Sequence, residues 1–394
     1  MHTSRRSYVG FGPRTVVIAL LCALALVSTA CGQEAVTEQG AADNGDAADR
    51  ADAEFNLKYT SIFSPGAPIQ DSMDWWMDEV EERTDGRVHF ERFYAASLAE
   101  GTDTIAALAE GRADVGYVVP AYTPGELPLL NVAMVPGSGE HGEAHARALE
   151  WLVKNNEHVI AEQEAQGIRI QTFMIIGRLG TVISPDPITT VSDLDGMTMR
   201  AIGFIAEALK TKGANPVAIE AQEAYESVQR GVIDGVQSLP LGDVPAQGLH
   251  EVAPWVVDLG LGHFGAGSLA ISDRTWQSLP SDIQKVIQHV NAEFYPESAA
   301  PLTMEAEETA CDTLLEAGGG VTRLPEDEIE QWRDDIGDSI WDTWRQDSID
   351  AGASEEAVAS VEKDLLRVHD ELLDEVTYDD GIDACRERTK VPAG

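Results

Sequence analysis

The chain has 394 residues, enough for two or three domains, with 43% hydrophobic and 6% aromatic residues. Lys and Arg number 27 against 68 Asp and Glu, a net charge of −41. Such a surface repels phosphate backbones, which excludes a nucleic-acid partner. A Lys-poor acidic surface stays soluble where salt screens its self-repulsion. A saline medium and an ordinary acidic surface from a GC-rich genome both account for it.

Arg5, Arg6 and Arg14 precede an apolar run from Val16 to Ala30, shorter than the ~20 residues of a membrane span. The run ends Leu26-Val-Ser-Thr-Ala-Cys31-Gly32 and resembles the lipobox of bacterial lipoproteins, whose Cys becomes the acylated first residue. Ser28 departs from the usual Leu. Ser4-Arg-Arg-Ser-Tyr8 partly matches a twin-arginine signal. Residues 1–31 are thus expected to be a lipoprotein leader, placing the protein outside the cytoplasmic membrane on a lipid anchor. Residues 32–54 are small and acidic, as in a disordered tether. Apart from Cys22 in the leader and Cys31, the Cys complement is Cys311 and Cys385. In an oxidising compartment this even pair is expected to be a disulfide, two free thiols being the alternative.

From Phe55 the chain alternates strands and helices. Strands are expected at 55–62, 87–93, 114–119 and 169–176, with helices at 69–83, 102–110 and 144–166. Trp75 and Trp76 sit on the first helix, about 100° apart, so at most one faces a cleft. A second α/β unit follows from Asp193 to Gly235, in which Arg200 ends a short strand. In open α/β sheets ligands bind beyond the carboxyl ends of the strands, so Arg200 is a candidate anion clamp. Residues 265–272 read as a strand returning to the first lobe, and 279–388 as helical. The expected fold is α/β, a two-lobe, type II-like periplasmic-binding-protein fold with a hinge, an interlobe ligand cleft and C-terminal helices. Lobe one takes residues 55–176 and 265–303; lobe two takes 177–264 and 304–390.

Asp193-Leu-Asp-Gly-Met-Thr-Met-Arg200, Gly213-Ala-Asn-Pro216, Glu223-Ala-Tyr225 and Gly231-Val-Ile-Asp-Gly235 together resemble the solute-binding proteins of TRAP (tripartite ATP-independent periplasmic) transporters, of the dicarboxylate-binding DctP type. Glu82-Arg-Thr-Asp-Gly-Arg-Val88, Leu108-Ala-Glu-Gly-Arg-Ala-Asp-Val115 and Trp276-Gln-Ser-Leu-Pro280 extend the resemblance over residues 55–345. It implies a receptor, not an enzyme, that captures an organic acid and hands it to a small and a large membrane permease subunit, with no cofactor. Arg200 falls on that family's carboxylate-binding Arg, Arg178 on a second, and Ser238 where the family has a ligand-contacting Asn. A planar Arg fork suits a carboxylate. Tyr117, Tyr122, Trp75 and Phe264 are weaker pocket candidates, core packing being the alternative for each aromatic.

Two constellations carry less. His141 and His145, one helical turn apart, lack a third metal ligand and read as an exposed helix start. Gly260-Leu-Gly-His-Phe-Gly265 precedes a strand and does not open a helix, as a dinucleotide site requires. A receptor for an ATP-driven importer or sensor, and an extracytoplasmic hydrolase using His141 and His145, are the competing functions.

Overall fold

The computed structural model describes residues 53–219 and 221–390. Cys31 and the expected leader lie outside them, as does all of the expected tether before Ala53.

Among the described residues, eleven short strands form two sheets. In chain order they are β1 (Phe55–Thr60), β2 (Val88–Phe93), β3 (Val115–Val118), β4 (Ile168–Phe173), β5 (Thr181–Ser184), β6 (Thr198–Arg200), β7 (Asn215–Val217), β8 (Gly235–Gln237), β9 (Trp255–Asp258), β10 (Ser268–Ser272) and β11 (Gly320–Arg323). Lobe one is built on the sheet β2-β1-β3-β10-β4 and lobe two on β11-β9-β5-β8-β6-β7. β10 is antiparallel to both β3 and β4, so the other four strands of its sheet point one way. β5 plays the same reversed part in lobe two. The chain crosses between lobes after β4 and again after β9, so each sheet carries one strand inserted against the general direction.

Three strands escape the sequence pattern. β5, β9 and β11 are only four residues long and mix apolar with polar side chains; β5 and β9 are wholly buried, and a strand buried on both faces shows no alternation. Residues 279–388 are therefore not uniformly helical. The expected helix over 144–166 is two helices, Gly142–Asn155 and Glu157–Ala165, broken at Asn156. The Asn156 side chain caps the second helix by accepting from the His158 and Val159 amides.

The C-terminal helices do not all belong to lobe two as expected. Asn156 Nδ2 donates to Ser360 and Asp364, and Trp344 Nε1 donates to the Pro128 carbonyl. The helices Ser339–Asp350 and Glu355–Leu372 are thus docked on lobe one, with Trp344 fully buried. Trp76 is also fully buried, and its Nε1 donates to Asn291 Oδ1 at 2.7 Å. Asn291 belongs to the helix Ser281–Phe294, which continues through a wide turn at Tyr295–Ala299 into the helix Ala300–Glu316. That run reaches lobe two, where Cys311 bonds Cys385 with Cα atoms 5.5 Å apart.

The helix Gly142–Asn155 starts in a buried seam, not on an exposed face. His145 is buried, and His369 Nε2 accepts from the Glu140 and His141 amides. His141 Nε2 lies 2.8 Å from the Tyr378 carbonyl. Burial lowers His141, His145 and His369 alike, His145 from 6.5 to about 3. A base held neutral in the fold takes up its proton on unfolding. Its contribution to stability is complete above the ordinary pKa of 6.5 and is lost as pH falls toward about 3. Urea midpoints followed through this window are expected to fall steeply in the native protein and less steeply in His145→Leu. Equal slopes would show that His145 does not govern the acid limb.

Candidate functional site

The strand directions bring one row of side chains to the carboxyl edge of the lobe-two sheet. In sheet order it holds Arg323 (β11), Asp258 (β9), the segment from Arg178 entering β5, Gln237 (β8) and Arg200 (β6). Binding sites of open α/β sheets lie at such an edge.

Arg200 is 2% exposed. Its Nε donates to the Ile219 carbonyl at 3.0 Å, and Nη1 to the carbonyls of Gln237 and Ser238 at 2.8 and 3.2 Å. Three main-chain acceptors therefore fix the plane of the guanidinium. Ser238 follows β8 with φ 65°, a left-handed conformation that costs a side-chain-bearing residue of order 1 kcal/mol and clusters at binding sites. This geometry points the Ser238 carbonyl at Arg200. The Ser238 hydroxyl bonds the Gln237 side chain and accepts from the Ile202 amide. Gln237 Nε2 donates to the Leu179 carbonyl at 2.7 Å, tying the β8 loop to the crossing segment.

Arg178 stands in a different setting from the one its sequence position implies. Its Nη1, Nε and Nη2 meet Asp258, Asp380 and Asp383 at 2.7, 3.0 and 2.9 Å. Those carboxylates hold the guanidinium charged against burial. Arg323 also pairs with Asp258, and His263 Nε2 lies 2.8 Å from Asp380. A pocket of about 520 Å³ opens beside this network, lined among others by Arg178, Asp258, Arg323 and Asp383. Arg200 does not line that pocket. The two arginines thus have separate settings: Arg200 donates to three main-chain carbonyls, whereas Arg178 is bound to three acids within the chain.

The aromatic candidates divide. Tyr117 is buried on β3 with its ring edge-on to Phe63 at 5.1 Å. Its hydroxyl lies so close to Gly267 that a Cβ there would overlap it, and glycine is required. Tyr122 is half-buried just beyond β3, its ring against Gly101. Phe264 is 1% exposed in the hydrophobic core, so packing and not cleft lining is its role. Trp75 lies tilted on Phe294 of the long helix at 6.3 Å, and the fully buried member of the pair is Trp76. His141 and His145 are part of the seam under the C-terminal segment, where Glu143 accepts from the Thr377 and Tyr378 amides.

Sequence reading missed Asp243. It closes the turn Leu241–Asp243, five residues beyond Ser238, and is 6% exposed. It belongs to no motif, and a single Asp in a chain with 68 acids gives no signal of its own.

Two α/β lobes joined by crossing strands, with candidate binding groups at a sheet's carboxyl edge, define a two-lobe solute receptor. The sequence matches the profile of the bacterial extracellular solute-binding proteins of family 7, DctP, over residues 59–347, and the chain belongs to that family. It is 22% identical over 267 residues to the C4-dicarboxylate-binding periplasmic protein DctP of Rhodobacter capsulatus, covering 66% of this chain and 78% of that one. It is 24% identical over 266 residues to the ectoine-binding periplasmic protein TeaA of Halomonas elongata, covering 65% and 74%. A crystal structure of a TRAP solute-binding protein from Rhodoferax ferrireducens, in complex with copurified benzoate, superimposes with a TM-score of 0.69 at 20% identity. That match covers 80% of this chain and 99% of the other. Family members are extracytoplasmic receptors, and among the described residues no helix is long and apolar enough to cross a membrane.

Proposed function

We propose that the protein is the receptor of a TRAP-type secondary transporter, capturing an organic acid between its lobes and delivering it to two membrane permease subunits. The observation that carries this reading is Arg200, buried at the carboxyl end of β6 with its plane set by three carbonyls. A guanidinium fixed in advance loses little freedom when it takes a carboxylate, and binding is correspondingly tighter. The solutes named for the relatives, a C4-dicarboxylate, ectoine and benzoate, all carry a carboxylate. Ser238 and Tyr117 are the further contacts in this reading, with Tyr122 at the rim. The leader and Cys31 support a lipid-anchored receptor, which would keep it beside its permease.

Melting curves with a panel of carboxylates test the clamp. A bound acid at 100 times its dissociation constant is expected to stabilise the protein by about 2.7 kcal/mol. Arg200→Lys keeps a charge but loses the fork, so it is expected to retain the fold and lose most of that shift. An unchanged shift in Arg200→Lys and in Arg200→Ala would remove Arg200 from the site.

A further inference from the structure

The chain past Leu372 runs across the junction of the two lobes, outside residues 59–347 that match the family. Its first anchor is on lobe one. The Thr377 and Tyr378 amides donate to Glu143 Oε2 at 2.6 and 2.8 Å, and Arg147 Nη1 donates to the Glu375 carbonyl at 3.1 Å. Glu143 and Arg147 belong to the helix Gly142–Asn155, which packs on β4. Its last anchor is on lobe two. Cys385 bonds Cys311, and the Thr389 hydroxyl accepts from the Val321 amide of β11 at 2.9 Å.

Between these anchors the segment meets both crossings. Asp380 Oδ2 lies 3.0 Å from Arg178 Nε on the first crossing and 2.8 Å from His263 Nε2 on the second. One carboxylate oxygen thus joins the two stretches that connect the lobes. Asp383 adds a further bond to Arg178 at 2.9 Å. The Tyr378 hydroxyl and the Gly381 amide hold the Glu307 carboxylate of the helix Ala300–Glu316 at 2.9 Å. That carboxylate is pressed on the first crossing, where a Cβ on Gly177 would overlap its Oε1. The Tyr378 ring stands edge-on to His141 and His263 at 5.5 and 6.4 Å.

Lobes swing when a few residues of their connecting stretches change φ and ψ. Here both stretches are fastened to a third piece of chain, which is itself held on both lobes. Charge-assisted bonds do much of the fastening, and these are stronger than neutral ones. We propose that residues 375–389 are a strap that restrains the swing of one lobe against the other. The strap acts on the unliganded receptor and is independent of which solute binds, so it stands or falls separately from the role of Arg200.

Amide hydrogen exchange of the unliganded full chain tests it, because exchange reports local opening segment by segment. The amides to follow join the crossings to each other and to lobe one: Met174 to the Gly267 carbonyl, Leu259 to Gly180, His263 to Gly139 and Gly265 to Ala133. Two variants each release one anchor, Glu143→Ala on lobe one and the paired Cys311→Ser, Cys385→Ser on lobe two. None of these side chains makes a hydrogen bond or ion pair with a crossing residue. In each variant, exchange at the four amides is expected to speed up at least ten-fold more than at the sheet amides of β1 and β8. Those sheet amides report loss of stability in general. A smaller excess in either variant would overturn the strap, since a tie must slacken whichever end is freed. Should Glu143→Ala not fold, Glu143→Gln, which keeps the shape and weakens the grip on the two amides, is read in the same way.

Discussion

Arg178→Ala is expected to destabilise the protein by about 3–5 kcal/mol, the range found when one partner is removed from a buried ion pair. Asp258 is fully buried and Asp380 nearly so, and both would lose the guanidinium that now separates them. Asp258 retains Arg323, which sets the lower end of the range. Asp380 retains His263 and Asp383 retains Arg386, but the three acids would still repel one another. Denaturant titration of the unliganded protein measures the loss. The triple variant Arg178→Met, Asp380→Asn, Asp383→Asn is expected to recover a large part of it, since the repulsion goes with the charges. A single Arg178→Ala variant as stable as the native protein would mean that water already screens these acids. Carboxylate affinity, measured where the variant is still folded, is expected to change far less than in Arg200→Lys.

Removal of the Cys311–Cys385 bond is the second large effect. The bond spans 74 residues, and in the chain-entropy model a loop of that length is worth roughly 4 kcal/mol, within the 2–5 kcal/mol usual for native disulfides. The paired variant Cys311→Ser, Cys385→Ser is expected to lower the denaturation midpoint accordingly, and reductant to act on the native protein but not on the variant. The effect has a definite location. The helix Gly381–Arg388 holds Cys385, and its capping residue Asp380 and its Asp383 are partners of Arg178. Just beyond it, the Thr389 hydroxyl accepts from the Val321 amide on the outer strand β11. Loosening this segment therefore weakens the Arg178 network, so the disulfide and Arg178 variants are expected to be less than additive in a double-mutant cycle. Strict additivity would show that the segment stays docked without its bond.

What could be read from the sequence follows contact distance along the chain. Arg200 was legible because strand, turn and helix signals within about thirty residues place it at a strand's end. The alternation of lobe one was legible for the same reason. The acids around Arg178 were not, because two of them come from more than 200 residues further on. β5, β9 and β11 were missed because four residues mixing apolar and polar side chains are too few to show a strand period. The docking of the helices Ser339–Asp350 and Glu355–Leu372 on lobe one was not legible because an amphipathic face does not say which surface it covers; Trp344 and Asn156 decide that only in three dimensions.

The helical run from Ser281 to Glu316 has a mechanical meaning. It is clamped to lobe one by Asn291 and to lobe two by Cys311, with Pro296 in the wide turn between. A proline and a widened turn are where a helix bends most easily. The run is a leaf spring held at both ends. Any approach of the two sheets would have to be taken up along this run, and residues 295–299 are where it bends most easily. Its stiffness, separate from any contact with solute, would then set how readily the empty receptor reopens, so substitutions at Pro296 belong among those that change release rates without touching the ligand.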